Sequence, residues 1–353
     1  MIVLSEELLP ILPIAILVVG AVLSYVVAFL LERVSHPKWT GVFTFFVMLL
    51  ALAPFIAMLG KGTMVYQLFG GETYLRSDNL ALLVGILAVS GGALAALFST
   101  RYLERQTGLG EFYVLLTFLV CGIVGIGLAG DLFNLFVFFE VMAISSYALV
   151  AFEKQKWEPI EASMKYVIMS AAGSITALLG ISYIYLASNT LDLARIASQL
   201  PQAPQLMVLA TSLVIIGFGV KAAMVPLHTW LPDAHAAAPS SISAMLSGIV
   251  IEAGLIAMIK TLVAIPAIRF GIIIAIFAVV TMTLGNLLAL PQRDLKRMLA
   301  YSSIAQMGYI LLGFGLGLEY AVSSGFTGGL FHIMNHLFMK GGAFLCAGAI
   351  LYS

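Results

Sequence analysis

Residues 131–153 read DLFNLFVFFEVMAISSYALVAFE. Between the flanking acids the stretch is about as long as the roughly 20 apolar residues that carry a helix across a bilayer. One charge lies inside it: Glu140, about two turns past the helix-breaking pair Gly130-Asp131. A charge at that depth costs about 2.5–3.5 kcal/mol on insertion scales. The stretch thus reads as a membrane span with a titratable group retained within it.

The rest of the chain repeats the pattern. Of 353 residues, 61% are hydrophobic and 10% charged, and the mean hydropathy is +1.08; a soluble domain carries about 25% charge. A water-soluble enzyme and a disordered chain are excluded. Seventeen basic and seventeen acidic residues cancel, which argues against nucleic acid as a partner and leaves no polybasic arm. Cys121 and Cys346 both lie in apolar runs, too few and too deep for a disulfide framework or a metal site. Glu6 and Glu7 stand where a secretory signal would be basic, and the first apolar run is full length, so insertion by the chain's own spans is expected.

Apolar runs between charged or Pro/Gly-rich breaks predict an all-α polytopic membrane protein with about eleven helices. They fall near 11–31, 40–60, 79–99, 111–130, 132–152, 162–188, 206–225, 240–262, 266–290, 298–318 and 321–351. The seventh run meets Pro226, Pro232 and Pro239, each lacking a backbone donor. The eleventh holds Gly325, Gly328, Gly329, Gly341 and Gly342 among polar residues. Both are expected to be irregular, which at membrane depth requires protein or trapped water around the freed backbone groups.

Basic residues set the orientation. One set of loops holds Arg33, Lys38, Arg101, Arg105, Lys154, Lys156, Lys165, Arg293, Lys296 and Arg297; the opposite set holds Lys61, Arg76, Arg195, Lys260 and Arg269. The positive-inside rule then puts the N-terminus outside the cytoplasmic membrane. Two basic residues remain, Lys221 and Lys340, and both sit within helices.

With Glu140 and Glu252 these lysines make four charges inside spans, joined by His332 and His336; Asp131 stands at a helix edge. One explanation is that Glu140 and Lys221 pair to glue two helices, although small residues and hydroxyls do that at far lower cost. The other is that these groups change protonation in a cycle, each neighbour's charge shifting the next group's proton affinity. Lysine at both deep basic positions favours titration, since arginine would stay charged. His332, His336 and Lys340 recur every four residues and share one helix face. Paired histidines at that spacing can also ligate zinc, but no Glu follows the first of them and the nearby lysine cation opposes a metal. His228 and His235 flank the broken segment after Lys221. Ser174, Ser240, Ser241, Ser243, Ser302 and Ser303 can hold water along a route, or serve helix packing.

Four stretches carry a resemblance: residues 131–153 above, VKAAMVPLHTWLPDAHAAAPSSISAMLSG (220–248), DLKRMLAYSSIAQMGY (294–309) and HIMNHLFMKGGAFLCAG (332–348). From about residue 80 onward the chain resembles the antiporter-like membrane subunits, a family that includes the proton-pumping subunits of respiratory complex I, the large subunits of Mrp sodium/proton antiporters and their counterparts in membrane-bound hydrogenases. The resemblance implies helices 1–3 within 1–105, a five-helix repeat (helices 4–8) within 106–264, and an incomplete inverted repeat (helices 9–11) within 265–353. It also implies a proton relay through Glu140, Lys221, Glu252, His332, His336 and Lys340, with His228 and His235 in proton access or structure. Two departures stand out. Glu252 occupies a place where the family has lysine or histidine, which leaves proton relay or a preference for sodium open. The family also continues beyond an eleventh helix, so a fragment, or a split subunit whose remaining helices belong to another polypeptide, is implied.

The leading expectation is a proton-translocating subunit of a multisubunit complex, with sodium exchange an open alternative. Its partners would be other membrane subunits, protons or sodium, and the lipid bilayer. It would carry no cofactor and no metal, having neither cysteine clusters nor a dinucleotide fingerprint; any redox chemistry would belong to an oxidoreductase partner. A structural membrane anchor with an inactive relay is the second expectation, and an intramembrane hydrolase using His332 and His336 the third.

Overall fold

The computed structural model describes residues 6–33, 39–68, 72–199, 204–265 and 270–352. A short 3-10 turn, Glu6–Leu8, precedes α1 (Leu12–Arg33) and α2 (Trp39–Met58). A hairpin of β1 (Met64–Gln67) and β2 (Tyr74–Ser77) leads to α3 (Asn79–Tyr102), α4 (Leu109–Leu128), α5 (Leu132–Val150) and α6 (Trp157–Ser188). The short α7 (Ile196–Gln199) precedes α8 (Pro204–Lys221), and α9 (Trp230–Ala237) follows a break. The next span, Ser240–Val263, consists of α10 (Ser240–Met245), a π turn (Leu246–Val250) and α11 (Ile251–Val263). Then come α12 (Gly271–Ala289), α13 (Leu295–Tyr320) and α14 (Ser323–Tyr352).

Ten of these helices are long and apolar enough to span a bilayer, and the apolar helix Gln205–Lys221 is shorter. The chain is a multi-pass, all-α membrane protein apart from the hairpin. Asp78, Asp131 and Asp294 start α3, α5 and α13, each accepting a backbone N–H three residues on, which offsets donors a helix start leaves unpaired. Every residue in the most apolar part of Ser240–Val263 is buried, against 28% for Gly271–Ala289. Ser240–Val263 is thus walled by protein, the setting in which a membrane helix tolerates a carboxylate.

The expected break after α8 is present. The helix stops at Lys221, and Ala223 takes a left-handed φ of 52°. Neighbours satisfy the freed backbone: Trp230 Nε1 donates to Val220 O (2.8 Å), and Val225 N donates to Thr281 Oγ1 (3.1 Å). The irregularity expected in the eleventh run is not found, because α14 is continuous from Ser323 to Tyr352. Gly325 and Gly329 serve close packing, a Cβ on Gly325 lying 2.6 Å from Gly313 O on α13, the small-residue contact that lets membrane helices approach, whereas Gly328 and Gly342 face open space. The second irregular helix is instead the one holding the π turn, which no proline or glycine cluster announced.

Several basic residues assigned to loops lie on helices. Lys165 is in α6, and Lys296 and Arg297 begin α13. Lys38, Arg269 and the side chain of Arg33 lie outside the described residues, as does the start of the expected ninth span, 266–269.

Candidate functional site

Lys221 ends α8 and is 1% exposed. Its position favours a cation, because helix C-terminal carbonyls carry partial negative charge. The ammonium donates to Ser146 Oγ on α5 (3.3 Å) and lies 4.4 Å from the ring centre of Tyr166 and 4.7 Å from that of Tyr147. Ring faces attract cations where water is absent. Ser146 in turn donates to Tyr166 Oη (2.9 Å), and Tyr166 stacks on Trp230 with ring centres 3.9 Å apart and planes 3° from parallel.

Glu140 is not in direct contact with the Lys221 ammonium. Among the described residues no ion pair joins them, and Glu140 Oε1 is buried without a hydrogen-bond partner. Helix gluing by a Glu140–Lys221 ion pair is therefore not what the structure contains: the lysine rests on a hydroxyl and two aromatic rings.

A second centre lies where α11 meets α14. His336 Nδ1 and Glu252 Oε1 are 2.7 Å apart, and both side chains are completely buried. Glu252 Oε2 and His336 Nε2 have no partner among the described residues. α11 is in close backbone contact with the end of α8. A Cβ on Gly254 would lie 2.9 Å from Lys221 Cβ and 3.0 Å from Ala222 N, so only glycine lets α11 press against the end of α8. Glu252, two residues before Gly254, projects from the other side of α11 towards α14.

The stripe on α14 is formed as its spacing predicts. His332 Nε2 lies 2.8 Å from Gln306 Oε1, and Lys340 donates to Ser302 Oγ at 2.6 Å, both on α13. Ser303, beside Ser302, pairs with Ser247 of the π turn at 2.6 Å. Ser240 and Ser241 bond Tyr102 and Ser99, and Ser243 donates to His235 O (2.9 Å), so these three serve packing. Ser174 Oγ is buried without a partner. His235 is fully buried, stacks on Phe344 of α14 at 4.7 Å, and neither ring nitrogen has a partner. His228 lies apart, edge-on to Tyr301 at 6.5 Å. Among the described residues no three His, Cys, Asp or Glu side chains gather as a metal site would require. Asp131 is spent as a cap, also accepting Tyr74 N (3.1 Å).

Sequence reasoning missed three features. Lys296 is buried and donates to Ala236 O (3.3 Å) and Ala238 O, holding the end of α9. Lys260 donates to Ile126 O (3.1 Å), Gly127 O (2.7 Å) and Ala129 O (2.7 Å), closing the end of α4; it lies inside the run 240–262, which was signal enough to withdraw it from the loop set. Asp233 accepts from Lys165 of α6 (3.1 Å) and Arg297 of α13 (2.9 Å); no sequence spacing announces that contact.

The chain is similar to known proteins along most of its length. Residues 129–353 match the family described as NADH:quinone oxidoreductase/Mrp antiporter, transmembrane. The chain is 34% identical to F(420)H(2) dehydrogenase subunit N of Methanosarcina mazei, over 81% of this chain and 58% of that one. It is 32% identical to NADH-quinone oxidoreductase subunit N of Desulforudis audaxviator, over 96% of this chain and 70% of the relative. In three dimensions it superposes on a chain of the archaeal membrane-bound sulfane sulfur reductase with a TM-score of 0.86 at 31% identity, covering 96% of this chain and 71% of that chain.

Proposed function

Because the chain belongs to the NADH:quinone oxidoreductase/Mrp antiporter transmembrane family, we propose that it is a proton-translocating membrane subunit of a multisubunit respiratory, hydrogenase-type or Mrp-type complex. The relay comprises Glu140, Lys221, Glu252, His332, His336 and Lys340, with His228 and His235 on the access side. The N-terminus faces outward, and the redox or antiport chemistry that drives the relay belongs to partner subunits.

The observation that carries this reading is the 2.7 Å contact between Glu252 and His336, two fully buried titratable groups. Together they hold one proton as carboxylate with imidazolium, or as carboxylic acid with imidazole, and either way the pair is neutral. Neutrality matters in a medium where an isolated charge costs several kcal/mol. Lys221 supplies the proton from one side: its ammonium is held by rings and a hydroxyl instead of a carboxylate, so releasing a proton breaks no ion pair. Lys340, one turn beyond His336 and hydrogen-bonded to Ser302, receives it on the other. Glu140 biases Lys221 through space, an attraction that strengthens when water leaves the region.

The test is proton translocation by the complete complex carrying Lys221→Ala. Assembly is expected to persist and translocation to be lost; full translocation would remove Lys221 from the relay. Repeating the assay with and without sodium separates proton pumping from sodium exchange.

A further inference from the structure

We propose that the cavity lined by Glu158, Glu161, Lys165, Asp233 and Arg297 is the vestibule from which Lys221 is reached by water and protons, and that the stacked Tyr166–Trp230 pair is the door between them. This rests on Lys221 being a proton carrier and adds the place where it is loaded.

The cavity has a volume of about 380 Å3 and opens beside the start of α6 and α13. Exposure falls steadily inward. Lys165 is 51% exposed and Asp233 22% by side chain, and Trp230 and Lys221 are each 1% exposed. Between the charged rim and the lysine stand two aromatic rings, and each is bonded to a neighbour of Lys221. Trp230 donates to Val220 O, the preceding residue, and Tyr166 Oη bonds Ser146 Oγ, which also receives the Lys221 ammonium. Trp230 covers the Tyr166 face opposite the ammonium, so it is movement of the stacked pair together that would uncover Lys221.

Two adjacent ties hold the door shut. Lys165 and Tyr166 are consecutive on α6, and their partners Asp233 and Trp230 are three residues apart on α9, so the ion pair and the stack lie side by side. Asp233 is shared with Arg297 of α13, and Lys165 with Glu161 at 2.9 Å. Either cation can therefore release Asp233 without leaving the carboxylate unpaired. Ion pairs this exposed are weak, and weak ties of this kind permit local opening without global unfolding. The far end of α9 stays fixed, because Lys296 holds the carbonyls of Ala236 and Ala238 from a buried position.

The experiment uses the full chain assembled in its complex in proteoliposomes. Trp39 and Trp157 are changed to Phe, leaving Trp230 as the reporter in this chain, and partner tryptophans are subtracted with a Trp230→Phe control. Acrylamide quenching of Trp230 is expected to be slight in the parent. It should rise roughly two- to fivefold in Asp233→Asn, the scale set by losing half-exposed ion pairs, and return to the parent value in Asp233→Glu. If Asp233→Asn fails to assemble, Arg297→Gln loosens the same carboxylate and should raise quenching in the same direction. Unchanged quenching in the assembled variant, or a Trp230 already fully quenched in the parent, would overturn the door. The two ideas fail separately. If quenching responds while Lys221→Ala pumps normally, the door stands without the relay; if quenching is flat and Lys221→Ala is inactive, the relay stands without the door.

Discussion

The ammonium of Lys221 rests 4.4 Å above the centre of the Tyr166 ring, with no carboxylate bonded to it. A desolvated cation–π contact contributes about 2 kcal/mol to the charged form. Tyr166→Leu should therefore weaken the hold on the Lys221 ammonium on the order of tenfold or more and slow proton translocation. Tyr166→Phe keeps the ring and loses only the bond to Ser146, so its effect should be small. Translocation rate in the two variants measures the difference; equal rates would show that the ring face does not hold the ammonium.

Gly254 is the point at which α11 meets the end of α8. A methyl group there meets Lys221 Cβ and the backbone of Ala222 at about 3 Å, and overpacking of this kind costs about 1–3 kcal/mol. Gly254→Ala should lower the thermal midpoint of the complex and also reduce translocation, because the added methyl displaces the end of α8 that carries Lys221. A variant that loses stability but pumps at the parent rate would show that this spacing is not used.

Lys260 has a structural role. Its three bonds close the carbonyl end of α4, and orphaning buried carbonyls costs about 1–3 kcal/mol each. Lys260→Met should destabilise the protein by roughly 3 kcal/mol or more while the assembled fraction keeps its proton stoichiometry. Thermal unfolding and the proton count per turnover test the two halves of the statement.

The spans were legible because hydropathy adds over some twenty residues, so errors at single positions average out. The break after Lys221 was legible because Pro226, Pro232 and Pro239 remove donors outright. The His332–His336–Lys340 stripe followed from helical spacing alone. Contacts between helices were not legible in this way. Whether Lys221 faces Glu140 or Tyr166 depends on a fraction of a turn of rotation, which no one-dimensional pattern fixes. The glycines of α14 read equally well as a break or as a packing face, and Gly313 opposite Gly325 decided for packing. The π turn at Leu246–Val250 arises in a wholly buried span, where tertiary packing overrides local propensity. The clamp on Asp233 joins residues from three helices far apart in sequence.

Glu252 and His336 form one proton-holding unit only if removing either partner disables it as fully as removing both. The decisive measurement is proton translocation by the assembled complex in Glu252→Gln, His336→Gln and the double variant, treated as a cycle. A shared proton requires all three to fall to the same low rate, with no further loss in the double variant. Independent, additive losses, or a single variant that pumps at the parent rate, would mean that the buried contact at 2.7 Å holds helices together and carries no proton.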